Sequence, residues 1–574
     1  MRKSIVSRAV VVPEWAKDAV WYQVFPERFR NGLCANDPRV EDIADHPIPG
    51  WRVKEWGSDW YSRDDWETGL GEFRRSVYHR RYGGDLVGLR EKLDYLQNLG
   101  INAIYLNPVF MAPSLHKYDA ACLHHVDPTL GPDRDGDLSL MARAGETENP
   151  GSWIWTAADR YLVELIADVH RRGMRIILDG VFNHVGTRFF AFRDLQLNGR
   201  ASRFRNWFRV EKWNRDGTFE YRGWFGHKTL PELARSNHNL AKPVRNYLYA
   251  ITRRWMDPNG DGNPGDGVDG WRLDVAFCVP HKFWKDWRKF VKAINPDAFL
   301  TAEVVSLADD YLRGDEFDSV MNYMWLFPVF RFFRAGPGAL GVRALRRQLD
   351  TLRRAYPPEV NYVVQNLLDS HDLGRIATAL ENQLPIKADW ESYFGLSGVA
   401  GNPELRTTRP SRRTHEILKQ IAIFQMTYIG APMIYYGTEV GMWGANDPDN
   451  RQPMLWDDLK YEAESHAPRG TVHPTARSPN HDLLSFYQDA IALRRDHEVL
   501  RRGGFGWIET GHERLLGFRR FNQDKEIVAV FNAADEAHPF RVEKGMKDLW
   551  RDRPARAGIT RLPARGWIVL GRSG

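Results

Sequence analysis

The chain has 574 residues, of which 43% are hydrophobic, and carries a net charge of +6, so it can bury a large core, and its length suits several domains unless one is a barrel. Its basic residues are scattered and do not cluster with aromatics, which argues against a nucleic-acid partner. Cys34, Cys122 and Cys278 are widely spaced and lack a CxxC, so they suggest neither a disulfide framework nor a zinc site.

At the N-terminus, Arg2 and Lys3 are followed only by a short apolar run at 9–12, too short for a secretory core. No stretch approaches the roughly 18 apolar residues of a membrane span. A soluble, cytoplasmic protein is expected. The 22 Trp and 21 Tyr either pack the core or stack on sugar rings.

From residue 19 onward, short β-branched or aromatic runs alternate with segments of helical period, the pattern of a parallel sheet with crossover helices. The first strand is read at 20–25. A helix at 86–99 ends at Gly100 and leads to a strand at 103–106. The helix at 157–172 stops at Gly173, in the position where glycine closes a helix, and a third strand runs 175–181. Residues 185–240 lose the period and read as an inserted subdomain without a clean helix.

Order resumes with a helix at 242–256 and a strand at 270–275, then a helix at 282–294 and strands at 299–305, 319–322 and 362–368. A helix at 414–428, a strand at 433–436 and a helix at 483–494 complete the alternation. Eight such strands make a closed (β/α)8 TIM barrel. The expected division is a barrel from 1–184 and 241–498, an inserted subdomain at 185–240, and a C-terminal antiparallel β-domain at 499–574.

In such a barrel, chemistry sits at the C-terminal ends of the strands. Those ends carry Asp179 to His184, Arg272 with Asp274, Glu303, and His371 with Asp372. Asp274, Glu303 and Asp372 come from strands four, five and seven and would share one bowl. A close carboxyl pair is what retaining glycoside cleavage uses. Arg272 and Asp274 are two apart on a strand and share a face, so the guanidinium should keep the aspartate ionised. The apolar neighbours of Glu303 should favour its protonated form. His184 and His371 are candidates for hydrogen bonds to sugar hydroxyls.

In order and spacing, DGVFNH at 179–184, LPEL at 230–233, GWRLDVA at 270–276, AEVV at 302–305 and DSHD at 369–372 resemble the signature regions of the α-amylase family of glycoside hydrolases. VFPERF, YGGDL and HKYD add to the likeness, which is strongest for the neopullulanase, cyclomaltodextrinase and maltogenic amylase branch. The resemblance implies Asp274 as nucleophile, Glu303 as acid/base and Asp372 as the grip on the distorted sugar. It also implies that His184, Arg272 and His371 line the same subsite, that Asp179 orients Arg272, and that Tyr118, Asp119 and Arg375 contact the substrate. Where the branch has a tyrosine read as stacking under the glucose, this chain has Leu123. LPEL likewise departs from the MPKL of neopullulanase-like members.

The implied activity is hydrolysis of α-1,4 bonds, with α-1,6 as a second linkage, in maltooligosaccharides, cyclodextrins or related α-glucans. A glucanotransferase or exo-acting α-glucosidase on the same scaffold stays open, as does an inactive glucan-binding or chaperone subunit.

Calcium is expected at three places. Asn31, Asn36, Asp37, Gly83 and Asp85 resemble a family site, with Leu33 in place of one aspartate. Asp257, Asn259, Asp261 and Asn263, followed by Asp266, make an EF-hand-like loop with Val268 at its twelfth position. Asn183 is the third.

Overall fold

The structure is a computed structural model and describes residues 10–334, 336, 338–387, 389–465 and 474–573. Its centre is a ring of eight parallel strands: β1 (Trp21–Val24), β2 (Ala103–Leu106), β3 (Arg175–Gly180), β4 (Gly270–Leu273), β5 (Phe299–Ala302), β6 (Ser319–Val320), β7 (Gln365–Leu367) and β8 (Ala431–Tyr435). They pair in the order β6-β5-β4-β3-β2-β1-β8-β7. A parallel bridge from Met321 to Gln365 joins the two ends and closes the barrel. Strands covered on both faces need apolar residues at nearly every position, and β1, β2, β4, β5 and β8 are buried throughout.

The strands stop earlier than the apolar runs suggest. β4 ends at Leu273 and β5 at Ala302, so Asp274 and Glu303 stand on the first residue beyond their strands. The run at 362–368 supplies only Gln365–Leu367, because Val360–Tyr362 is a 3-10 turn. The helix read at 86–99 is two, Leu86–Glu91 and Leu93–Leu99, broken at Lys92. Gly100 and Gly173 have φ of 96° and 71°, the left-handed closure expected of glycine there.

Helices Tyr323–Phe333 and Val342–Ala355 fill the interval between β6 and β7. The first is buried almost all round and so shows no polar face to read in the sequence. Between β3 and the helix Lys242–Met256 lie the helix Phe190–Asn198 and two short hairpins. That helix corrects the expectation of none: Ala191, Phe192 and Leu195 form its narrow buried face, a signal hidden among other aromatics. Phe192 packs on Phe208 and Tyr221 at 4.9 and 4.8 Å.

After the barrel helix His481–Asp496, the chain forms β9 (Gly504–Ile508), β10 (Leu515–Phe521), β11 (Lys525–Asn532), β12 (His538–Val542), β13 (Lys547–Asp548), β14 (Arg553–Pro554), β15 (Gly558–Leu562) and β16 (Trp567–Ser573). Six make one antiparallel-paired sheet, β9-β10-β11-β16-β13-β14, and β12 pairs with β15.

Alternate side chains of a strand face opposite ways, and β11 uses both faces. Val528 and Val530 join an outer cluster with Val542 and Leu562. Ile527, Ala529 and Phe531 join the core of the barrel, where Phe531 meets Phe424 at 5.6 Å and Phe333 at 5.9 Å. Arg494 and Arg520 are buried at this junction. Arg494 donates to the carbonyls of Met426 (3.0 Å) and Gly430 (2.6 Å), and Arg520 to those of Leu500 (2.6 Å) and Gly503 (2.9 Å). Burial lowers the two to about 9 and about 10.

Candidate active site

Strand register assembles the site. Asp179 on β3 lies opposite Arg272 on β4, and Arg272 opposite Thr301 on β5. The ladder continues one step past the strands, with Asp274 N–H donating to Gly180 O (3.1 Å) and Glu303 N–H to Leu273 O (3.0 Å). Asp274 and Glu303 therefore emerge side by side at the C-terminal mouth of the barrel.

Arg272 is fully buried and joins three acids. Its Nη1 donates to Asp179 Oδ1 (2.8 Å) and Asp274 Oδ1 (2.9 Å), and Nη2 lies 2.9 Å from Glu303 Oε2. Glu303 Oε2 also accepts the Val275 N–H at 2.8 Å. Val275 has φ of 37°, costly for a β-branched residue, and this backbone turn is the one that presents its N–H to Glu303.

Around this core sit the other groups. Tyr105 and Tyr118 donate their hydroxyls to Asp179 Oδ2 at 2.6 and 2.8 Å. With that proton committed, the 2.6 Å contact between Tyr118 and His371 Nε2 has the imidazole as donor. Gln23 then donates to His371 Nδ1 at 2.8 Å, which fixes one neutral tautomer. Asp372 lies 3.2 Å from His371 Nε2 and 3.5 Å from Arg451 Nη2. Arg451 also donates to the His371 carbonyl (2.8 Å). His184 stacks under Trp224 at 5.3 Å, and its buried Nε2 has no partner among the described residues.

Four carboxyls share two guanidinium groups here, and burial raises the proton affinity of Asp179, Asp274 and Asp372. Burial lifts Asp179 above its usual value against the pull of Arg272 and the two tyrosines. It lifts Asp274 well above, with Glu303 and Asp179 adding to the effect. Asp372 is pushed up to about 7, first by burial and then by Glu303. Arg272 does favour the Asp274 anion, as the sequence suggested, but one cation divided among three acids does not outweigh desolvation. The three aspartates titrate as a set. Burial lowers His184 to about 3, with His116 adding, and holds His371 well below the ordinary range, so both stay neutral.

The chain matches the alpha amylase catalytic domain family over residues 23–147, 158–399 and 405–503. It belongs to the alpha-amylase family. It is 35% identical over 534 residues to neopullulanase 2 of Thermoactinomyces vulgaris, covering 92% of this chain and 72% of that protein. A cyclomaltodextrinase of Geobacillus thermopakistaniensis is 32% identical, covering 94% and 72%. Among solved structures, the cyclic alpha-maltosyl-(1→6)-maltose hydrolase of Arthrobacter globiformis superposes with a TM-score of 0.70 at 27% identity, over 98% of this chain and all of that one. The chain is a neopullulanase- or cyclomaltodextrinase-like glycoside hydrolase of this family.

Several residues of the family motifs lie elsewhere than expected. Arg375 does not reach the bowl: fully buried, it donates to the carbonyls of Asn450 (3.0 Å) and Tyr436, 4.2 Å from the Tyr435 ring. It stands at the start of the helix Ile376–Glu381, whose direction turns the side chain into the core. Arg451, from the loop after β8, takes the place beside Asp372, and no local pattern in the sequence marks it. Asp119 accepts from the Ser114 hydroxyl. Leu123 is not a gap in the bowl, since it is buried with Tyr247 and Trp255. The ring at the bowl is Tyr118, stacked on His371 at 5.5 Å and 14°.

The calcium candidates of this family member fare differently. Asn31 donates to Asp37 Oδ1 at 2.7 Å beside Gly83, and Asn31 Oδ1 is buried without a partner among the described residues. Burial raises Asp37 to about 6. But Asn36 Oδ1 accepts the Arg134 N–H (2.6 Å), and Asp85 accepts the N–H groups of Gly32 (3.1 Å), Leu33 (3.0 Å) and Gly88 (2.6 Å) as a helix cap. Calcium takes six to eight oxygens, and this set does not supply a cage.

In the second loop, Asp257 accepts from Gly262 N–H (3.2 Å), Asn259 from Asp261 N–H (2.8 Å), Asp261 from Asn263 N–H (2.7 Å), Asn263 from Gly265 N–H (3.2 Å) and Asp266 from Asn259 N–H (3.3 Å). These are turns closed by their own side chains. At Asn183, Oδ1 accepts from Arg235 at 3.2 Å, so a guanidinium stands where the cation was expected. Most of the oxygens in the three sets are engaged within the protein, while Asn31 Oδ1 and Asp266 Oδ1 are buried without a partner among the described residues.

Proposed function

We propose that this chain is a retaining hydrolase of α-glucans in which Asp274 is the nucleophile and Glu303 the general acid/base. The bridge from Arg272 to both residues carries the reading. Two carboxyls held by one planar guanidinium suit the about 5–5.5 Å spacing of retaining cleavage better than the roughly 6.5–9.5 Å of inverting cleavage.

In the first step an Asp274 oxygen attacks the anomeric carbon while Glu303 gives its proton to the departing glycosidic oxygen. In the second, Glu303 takes a proton from water, whose oxygen displaces Asp274 from the same carbon. Asp372 and the unpaired Nε2 of His184 receive sugar hydroxyls, and Tyr118 supplies the platform beneath the ring. The histidines stay neutral across the working range, whereas Asp372, pushed up to about 7, changes charge within it.

The names of the relatives support α-1,4-linked maltooligosaccharides and cyclodextrins as substrates, with α-1,6 bonds as a second linkage. A relative named intracellular maltogenic amylase, from Bacillus subtilis, is 30% identical, which supports a cytoplasmic site of action. Product profiles on maltotriose, β-cyclodextrin and pullulan test the reading. Glucose and maltose with retained configuration are expected. Dominance of longer oligosaccharides would make the chain a glucanotransferase, and glucan binding without release of reducing sugar would make it a non-catalytic subunit.

A further inference from the structure

Away from the bowl, the chain between β2 and the helix Ala157–Arg171 brings two histidines and a glutamate to one point. His124 and His125 are adjacent in sequence, with ring centroids 4.7 Å apart. Glu146 arrives just after the helix Arg134–Ala144. His125 Nε2 is 2.8 Å from Glu146 Oε2, and His124 Nε2 is 3.9 Å from the same oxygen. One ligand atom from each of the three lies within 4.8 Å of the others.

Both rings are held from behind. His125 Nδ1 is 2.7 Å from Asp159 Oδ2, and Asp159 is itself fixed by the Val126 N–H (2.8 Å) and Arg254 (2.9 Å). His124 stacks on Trp153 at 4.5 Å and 7°, with Nδ1 2.9 Å from the Tyr247 hydroxyl and 3.1 Å from Cys122 Sγ. Each imidazole thus has Nδ1 engaged and Nε2 turned towards Glu146. A carboxylate behind one nitrogen, orienting the other, is the usual support of a metal-binding histidine.

We propose that His124, His125 and Glu146 bind one first-row divalent cation, with zinc the best match to the ligands. Zinc with bonds of about 2.0–2.1 Å sets tetrahedral ligand atoms about 3.3–3.4 Å apart; the two distances to Glu146, 2.8 and 3.9 Å, straddle that, and all three atoms lie within 4.8 Å, so a small inward turn of the rings closes the set. A hydrogen-bonded chain from Asp159 through His125 to Glu146 would satisfy His125 without any ion. It leaves unexplained why a second ring, clamped by Trp153 and Tyr247, aims at the same carboxylate beyond hydrogen-bond range. The three side chains are nearly enclosed, with Glu146 the most exposed at 11%, and a water completes the fourth position. The ion ties the Cys122–Val126 stretch, a few residues beyond Tyr118, to the loop after Ala144, so its role is structural.

The test uses the full-length protein, stripped with a chelator and titrated with zinc chloride against a chromophoric competitor. One equivalent should bind, raise the thermal midpoint, and be replaceable by cobalt with visible d–d bands of nitrogen and oxygen ligation. Glu146→Gln and His124→Phe should each weaken zinc by more than about 100-fold, the upper end of what loss of an outer-shell partner costs, while still cleaving maltotriose. The proposal is overturned if the wild-type protein takes up no stoichiometric zinc, or if both variants bind as tightly as the wild type. Should neither variant fold, the wild-type cobalt spectrum decides, and absent bands refute the site.

Discussion

The mouth of the barrel and the loop at 257–267 are both dense in acidic and amide side chains, yet only one of them is equipped for chemistry. In the loop, Asp257, Asn259, Asp261 and Asn263 each accept a backbone N–H two to five residues further on, so their acceptor oxygens serve the turn. At the mouth, Asp179, Asp274, Glu303 and Asp372 outnumber the cations Arg272 and Arg451, and desolvation leaves the group short of compensation. Density of acids does not mark a site. Unsatisfied capacity does.

The strongest way to break this contrast is to remove the reacting groups. Asp274→Ala or Glu303→Gln should lower kcat by several powers of ten, measured as maltose released, while the thermal midpoint falls little, because the packed layers of the barrel lie beneath both residues. A loss under tenfold from either would sink the assignment.

A smaller effect should sharpen the contrast. Asp372 is raised from its unfolded value of 3.8 to about 7, so the folded protein binds its proton more tightly than the unfolded one does. Its contribution to stability is whole below about pH 4 and is lost as pH climbs through 7. Asp372→Asn should therefore raise the thermal midpoint by about 1–2 °C at pH 8 and leave it unchanged at pH 4, while impairing turnover. Equal shifts at both pH values would contradict the electrostatic account.

The smallest effect belongs to the loop. Asp261→Asn keeps an acceptor for the Asn263 N–H and should change stability by less than about 0.5 kcal/mol, with activity unaffected. Calcium should add nothing to the thermal midpoint of either protein, and a calcium-dependent rise abolished by Asp261→Asn would show that the loop is an ion site after all.

Much of the mouth was legible because strand register is a local property. Asp179, Arg272, Asp274 and Glu303 follow apolar runs whose burial fixes their faces, so their convergence follows from the barrel itself. Arg375 misled for a related reason: its neighbours in DSHDLGR reach the bowl, but a helix begins one residue later and swings it inward. Arg451 and the pair His124 and His125 were invisible, since their partners lie 79 residues away at Asp372 and 21 residues away at Glu146, and no periodicity encodes such meetings. Of the three cysteines only Cys122 stands beside the imidazoles, against His124 Nδ1 at 3.1 Å, on the ring nitrogen that does not face Glu146.

Phe531 of the terminal sheet shares one apolar interior with Phe424 and Phe333 of the barrel, and Arg494 and Arg520 reach across the same seam to the carbonyls of Leu500 (3.2 Å) and Thr427 (3.3 Å). An appendage attached in this way cannot be clipped off cleanly. Deleting everything after residue 498 would strand the Arg494 guanidinium and the rings of Phe333 and Phe424 in water, so the shortened protein should be insoluble, and heating the intact one should melt both parts in a single step.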